Sequence, residues 1–326
     1  YVVRNPESQA GRIAYARSLA GDRHYQQALE EFRRLLAERP DDPDLLTATA
    51  ALALQVNELD EADRLFRQVL EQSPRDVDGI RLYLGQIADR RKRPEEAIEW
   101  YRAVEGEQRR PEARLRMAYS LAAAGRVDEA RQLLRELPGD DAAVARHRMA
   151  EAQILRDAGR VEEAYAVMEA ALRDQPDDHD LLYESAMLAE RLGRVEVMEN
   201  RLRKLIALDP DNSHAYNALG YSLADRGVRL MEAETLIRKA LELAPDDPFI
   251  TDSMGWVLFR RGDMAGAAAY LEKAYRRRPD PEIAAHLGEV YWSVGRKDEA
   301  TRLWAEALKA HPDNQEIKAV QKRLAQ

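Results

Sequence analysis

Cysteine is absent from this sequence. A chain without thiols has no thiolate nucleophile, no disulfide and no thiolate metal ligand. That absence suits an oxidising compartment, where a stray thiol is a hazard, and a cytosolic helical array can equally lack thiols. Histidine is sparse as well. His24, His147, His179, His214, His286 and His311 stand singly, and no two have the i, i+4 spacing that sets paired imidazoles around a metal on one helix face. No stretch approaches the run of about 18 apolar residues that spans a membrane. Positive charge is in deficit: the formal net charge is -9, and counterion release from nucleic acid needs clustered Lys and Arg. The basic runs Arg90-Arg91-Lys92-Arg93 and Arg276-Arg277-Arg278 read as solvated helix ends. Only 8 of the 50 basic residues are lysine, a skew associated with GC-rich bacterial genomes. No nucleophile elbow or phosphate loop is present, and the paired carboxylates Glu162-Glu163 and Asp177-Asp178 fall at turns and caps. The chain therefore reads as non-enzymatic, with no cofactor and no metal site.

What the sequence has in abundance is periodicity. Ala28, Ala62, Ala97, Ala130, Ala164, Met198, Ala233, Ala267 and Ala300 recur at intervals of 33 to 35 residues. The segment Gly159-Arg160-Val161-Glu162-Glu163-Ala164 returns as Gly125-Arg126-Val127-Asp128-Glu129-Ala130 and as Gly295-Arg296-Lys297-Asp298-Glu299-Ala300. Apolar residues at 45% and charged residues at 33% suit a run of amphipathic helices, each burying a stripe and solvating the rest. Each unit reads as helix A, a tight turn, helix B and a Pro-Asp junction. Gly21, Gly125, Gly159, Gly193, Gly227, Gly262 and Gly295 stand where helix A must stop in a left-handed conformation. Pro40, Pro74, Pro176, Pro210, Pro245, Pro279 and Pro312 end the B helices. Asp41-Asp42, Asp177-Asp178 and Asp211-Asn212 then cap the next helix A.

Two side-chain slots repeat with the period. A small residue on helix A (Ala16, Ala50, Gly85, Ala118, Ala152, Ala186, Gly220, Gly255, Gly288) lets helix B approach. A bulky residue on helix B (Phe32, Phe66, Tyr101, Leu134, Met168, Leu202, Ile237, Leu271, Trp304) fills the space between stacked helices. The third unit lacks its closing proline and runs Glu105-Gly106-Glu107, while the fourth closes early at Leu137-Pro138-Gly139-Asp140. These departures are read either as a bend in the stack or as loop variation.

A period of about 34 residues with this pattern marks a helical-pair repeat array, and the chain resembles the tetratricopeptide repeat family over nearly its whole length. The resemblance implies an all-α, right-handed superhelical solenoid of about nine helix pairs plus a C-terminal capping helix. The expected repeats are 9–42, 43–77, 78–110, 111–144, 145–178, 179–212, 213–247, 248–280 and 281–313, with the capping helix at 314–325. Because such arrays grow by stacking, residues 1–326 are expected to form one domain. The chain starts at Tyr1 without methionine and shows no cap before Gly11, so it is expected to be a fragment lacking N-terminal sequence.

The family resemblance also implies that the A helices face inward along a groove. The slot after each small residue is Arg17, Ala51, Gln86, Tyr119, Gln153, Met187, Tyr221, Trp256 and Glu289, with large side chains gathered in the sixth to eighth units. Tyr183, Asn217, Phe249, Phe259, Arg260, His286 and Trp292 fall on the same inner face. Four aromatics at about 150 to 250 Å² each exceed the apolar patch a monomer ordinarily exposes. The candidate protein-binding groove is therefore Tyr183, Met187, Asn217, Tyr221, Phe249, Trp256, Phe259, Arg260, His286 and Trp292, with aromatic anchors and Arg260 as a polar handle. Two arrangements stay open: Trp256, Phe259 and Trp292 either present themselves to a partner or fold back between adjacent A helices. A carboxylate-clamp groove is not supported, since Asn217 occupies one such slot without the accompanying lysines.

The last third, from Tyr216-Asn217-Ala218-Leu219-Gly220-Tyr221 through Asp252-Ser253-Met254-Gly255-Trp256 to Ala285-His286-Leu287-Gly288-Glu289, resembles more closely the proteobacterial outer-membrane tetratricopeptide lipoproteins, as found in Pseudomonas. That resemblance implies an adaptor that binds and activates a periplasmic carboxyl-terminal processing protease and delivers substrates such as peptidoglycan hydrolases. It implies protein partners, no nucleic acid, no membrane span in this chain, and a periplasmic location tethered to the outer membrane by a lipid upstream of Tyr1. The alternatives are a structural scaffold for polysaccharide export or pilus biogenesis, and a repeat domain from a larger cytosolic transferase.

Overall fold

The structure, a computed structural model, describes residues 9–72 and 74–324. Ser73, inside the expected second repeat, and Ala325, the last residue of the expected capping helix, lie outside the described residues. Every regular element among the described residues is an α-helix, and they follow one another in pairs: α1 (Gln9–Gly21) with α2 (Tyr25–Glu38), α3 (Pro43–Gln55) with α4 (Leu59–Glu71), α5 (Val77–Arg90) with α6 (Pro94–Arg102), α7 (Arg110–Ala123) with α8 (Val127–Arg135), α9 (Asp141–Asp157) with α10 (Val161–Asp174), α11 (His179–Arg191) with α12 (Val195–Leu208), α13 (Ser213–Asp225) with α14 (Leu230–Leu243), α15 (Pro248–Arg260) with α16 (Met264–Arg277) and α17 (Pro281–Ser293) with α18 (Lys297–Ala310). A final helix, α19 (Gln315–Leu324), packs on α17. Ile317 is the buried residue of α19, and Val320 and Leu324 pack beside it, so the expected closing helix is present through Leu324.

The helix ends follow local chemistry. In each expected Asp/Asn pair the second member is the cap: Asp42 accepts from the amides of Asp44 and Leu45, Asp178 from Leu181, and Asn212 from Ala215. These bonds satisfy amides that have no partner within the helix. Six of the seven turn glycines have positive φ, Gly125 at 80° for example. Gly21 is the correction. It ends α1 without positive φ, and the left-handed residue of that turn is Arg23 at φ 62°. Asn57 (φ 67°) and Lys92 (φ 57°) do the same work in the next two turns. The turn requires a left-handed residue at one position, and a side chain there costs about 1 kcal/mol relative to glycine.

The small and bulky slots meet within each pair. A Cβ added at Gly85 would collide with the Tyr101 ring, and one at Gly288 with the Trp304 indole. The periodic alanines and Met198 are fully buried, and so nearly are the bulky residues from Phe32 to Trp304.

The described residues group into two compact units, one up to Val167 and one from Met168, with the division inside α10. In the first unit the irregular third and fourth repeats have short B helices: α6 and α8 are 9 residues each, where α2 is 14. Asp89 of α5 accepts from both Tyr101 and Ser120 at 2.7 Å. Glu151 of α9, its side chain 1% exposed, is held by Arg131, Arg135 and Arg148. Neighbouring B helices are tied by Arg33 with Glu61 and by Arg67 with Glu96. In the second unit Arg203 with Glu232 repeats that arrangement. Such half-exposed pairs contribute about 0 to 1 kcal/mol each and set helix spacing more than stability.

Candidate functional site

All ten candidate groove residues belong to the second unit and to its A helices: Tyr183 and Met187 on α11, Asn217 and Tyr221 on α13, Phe249, Trp256, Phe259 and Arg260 on α15, and His286 and Trp292 on α17. Helices α13, α15 and α17 pack one on the next, because each presents a glycine-bearing face to its own B helix and leaves the opposite face to its neighbours. The structure brings Tyr221, Trp256, Phe259, Arg260 and His286 together. Trp256 stacks on His286 with ring centres 4.3 Å apart and lies 5.3 Å from Phe259, while the Arg260 guanidinium sits 5.7 Å from the Trp256 ring centre.

Of the two arrangements open for Trp256, the structure adopts the folded-back one. Trp256 is 5% exposed and His286 is 8% exposed, so neither presents an open surface. The reason is the close stacking of adjacent A helices, which leaves a flat ring no free face. Phe259 is half-buried beside them. Trp292 is also half-buried but leans on Trp304, the bulky residue of its own pair, with Lys297 Nζ 4.9 Å from its ring centre. Phe249, 37% exposed, has Arg278 5.0 Å from its ring centre. Tyr183, Met187, Asn217 and Tyr221 are half-buried. The broad exposed aromatic patch expected from the sequence is thus reduced to Phe249 and the edges of its neighbours.

One residue of this cluster escaped the sequence reading. Asp252 stands three positions before Gly255, the place Tyr183 holds before Ala186 and Asn217 before Gly220. That register was the available signal. Its carboxylate lies 2.9 and 3.1 Å from His286 Nδ1, and His286 Nε2 lies 3.3 Å from the Tyr221 hydroxyl. Burial opposes charge on His286, but the Asp252 carboxylate, with Glu282 and Glu316, outweighs it and raises the imidazole above its ordinary pKa. Burial, followed by the repulsion of Glu316, raises the Glu282 carboxyl. Burial and the nearby carboxylates Glu282, Asp225 and Asp252 hold the Tyr221 phenol well above its usual range. An Asp-His-hydroxyl series has the outline of a nucleophile relay, yet a phenol shifted in that direction is a poor nucleophile at neutral pH. The arrangement is a structural polar core. Asn217 Oδ1 and Trp256 Nε1 are buried beside it without a hydrogen-bond partner among the described residues.

The first unit carries a hollow that the sequence reading did not favour. It measures about 1010 Å³ and is lined by the predicted groove slots Arg17, Ala51 and Gln86, together with Tyr83, Arg75 and Arg109. Small side chains at Ala48 and Ala51 leave its floor open. Among the described residues no cluster of three or more His, Asp or Glu is disposed to hold a metal ion, and no helix is long and apolar enough to cross a membrane.

Comparison with known proteins agrees with this geometry. Two family models described as tetratricopeptide repeat match the chain, one at residues 13–77, 47–111, 149–197 and 199–248, the other at 90–154 and 258–324. A TPR repeat-containing protein of Pseudomonas aeruginosa is 40% identical over 215 residues, a match covering 65% of this chain and 36% of that protein. Cellulose synthase operon protein C of Pseudomonas fluorescens is 27% identical over 216 residues, covering 60% of this chain and 15% of that protein. The chain thus spans about a third of the first relative and less than a fifth of the second. Among solved structures, a tetratricopeptide repeat protein from Parabacteroides merdae superposes with TM-score 0.54 at 16% identity, over 87% of this chain and 99% of that one. With its helical pairs, its small and bulky slots in contact, and its repeats matched along most of its length, this chain belongs to the tetratricopeptide repeat family.

Proposed function

We propose that this chain is a non-enzymatic adaptor that binds and activates a periplasmic carboxyl-terminal processing protease and delivers substrates such as peptidoglycan hydrolases to it. The observation that carries the reading is the stretch from Tyr216 to Val290. Its motifs resemble those of outer-membrane adaptor lipoproteins, and it forms one continuous set of packed A helices, α13, α15 and α17, in the second unit. The protein-interaction role follows from the family; the protease, the hydrolase substrates, the periplasmic location and an upstream lipid anchor are the proposed part. Two surfaces suit the work: the A-helix face of the second unit around Phe249 and Tyr221, and the hollow of the first unit at Arg17, Ala51 and Gln86. An adaptor of this kind acts by raising the effective concentration of substrate at the protease and by binding the active protease conformation in preference to the inactive one.

The test is to mix the purified chain with a carboxyl-terminal processing protease and follow cleavage of a cell-wall hydrolase. A stable complex with accelerated cleavage supports the reading, and the absence of both binding and acceleration overturns it for this chain. The match to a cellulose synthase operon protein favours a second reading, a scaffold for polysaccharide export. A pull-down from envelope extract separates the two, because the first requires a serine protease among the captured proteins and the second a synthase or export component.

A further inference from the structure

The Tyr221, His286 and Asp252 chain joins three successive repeats. Tyr221 and His286 are 65 residues apart in sequence. The α13 hydroxyl reaches the α17 ring from one side while the α15 carboxylate holds it from the other. The charged surroundings of the ring are one-sided. From α15 comes Asp252, with Trp256 stacked on the imidazole and Arg260 directed to Asp225 of α13. From α17 itself comes Glu282, and from α19 Glu316, both acting on the ring. Glu289 of α17 is neutralised by Arg323 of α19 at 2.5 Å. The helices on the other side, α16 and α18, meet α15 and α17 through Leu271 and Trp304. Their charges Glu272 and Glu299 gather with Arg296 near Tyr291 instead. His286 is therefore a buried base set among Asp252, Glu282 and Glu316.

We propose that protonated His286 is the pin that holds α13, α15, α17 and α19 together, and that this end of the second unit loosens when the imidazole loses its proton. With the ring charged, Asp252 is paired and the repulsion among the three carboxylates is offset. With the ring neutral, those carboxylates on three different helices face one another without compensation. The folded-state pKa of His286 is raised, so the stabilisation is complete below the ordinary imidazole pKa of about 6.5 and is lost as pH rises through the folded value. The inference depends on no particular partner. Any partner seated over the A-helix face around Phe249 would bind a surface whose stiffness is set by one proton.

The experiment uses the full chain. The His286 imidazole is titrated by NMR, and amide hydrogen exchange of α13, α15, α17 and α19 is followed over the same pH range, corrected for intrinsic exchange. The expected result is a midpoint above 6.5 and a fall in protection of α15, α17 and α19 that tracks it, by about tenfold for each unit the pKa is raised. His286→Gln keeps a donor for Asp252 without the charge and should flatten the pH dependence; Tyr221→Phe, which removes one hydroxyl, should lower the midpoint. A midpoint at or below 6.5, or protection that does not follow the titration in the unaltered chain, overturns the proposal whether or not either variant folds.

Discussion

The Trp304 indole of α18 occupies the space that a Cβ on Gly288 of α17 would need. The two residues sit in the small and bulky slots of the ninth repeat and close its core against α19. Gly288→Ala therefore forces the indole or a helix backbone to move, and we expect a loss of about 1 to 3 kcal/mol. Trp304→Ala opens a cavity and should cost about 3 to 5 kcal/mol. Denaturant unfolding of the two single variants and the double variant checks this. A double variant no less stable than Trp304→Ala alone would show that Gly288 matters only through the indole.

Glu151 in the first unit is reached by three arginines, Arg131, Arg135 and Arg148. Removing it takes from Arg148 the carboxylate it pairs with, while Arg131 keeps Asp128 and Glu163, so Glu151→Ala should destabilise the first unit by about 3 kcal/mol. Arg135, half-exposed, should matter far less: its replacement by alanine is expected to cost about 1 kcal/mol or less. Hydrogen exchange in α8 and α9 reads the difference. Equal effects of the two substitutions would contradict the assignment of Glu151 as the hub.

Tyr291 carries a pH signature of its own. Burial, then its hydrogen bond to Glu272 at 2.8 Å, pushes the phenol up to about 12. A phenol whose folded pKa lies above its unfolded value of about 10 contributes stability that is present below that pH and is lost as pH rises through the folded value. The difference in tyrosinate absorbance between the native chain and Tyr291→Phe should show one phenol ionising near 12, and Glu272→Gln should bring it down. A phenol titrating near 10 would remove the Glu272 bond from the account.

Phe249 and Trp256 separate binding from folding. Trp256 is buried against His286, so Trp256→Ala should unfold the last repeats at a cost of about 3 to 5 kcal/mol and report little about a partner. Phe249 is more exposed, and Phe249→Ala, which loses the Arg278 contact and part of the ring's packing, should cost only about 1 kcal/mol. If the α13 to α17 face carries the protease or its substrate, that same substitution should weaken the complex by about 2 kcal/mol, measurable by calorimetry. Unchanged affinity for both would direct attention to Arg17 and Gln86 in the first unit.

Much of this architecture was legible in the chain. Asp42, Asp178 and Asn212 cap their helices through bonds spanning three residues or fewer, and contacts that local depend only on the order of residues. The pairing of Gly85 with Tyr101 and of Gly288 with Trp304 spans one helix and one turn, so a fixed period reveals it. The turn of the first pair was misread because glycine is the cheapest left-handed residue without being obligatory, and Arg23 takes that conformation two positions beyond Gly21.

What only the tertiary structure decided lies between repeats. The burial of Trp256, the contact of Asp252 with His286 and the reach of Tyr221 to a ring 65 residues away depend on how one A helix rotates against the next and which rotamers that rotation allows. The sequence period specifies the repeating unit and the faces it must bury, since amphipathic spacing and capping are local properties. The polar core of the last repeats depends on packing across units, where a small change in helix rotation exchanges a buried ring for an exposed one.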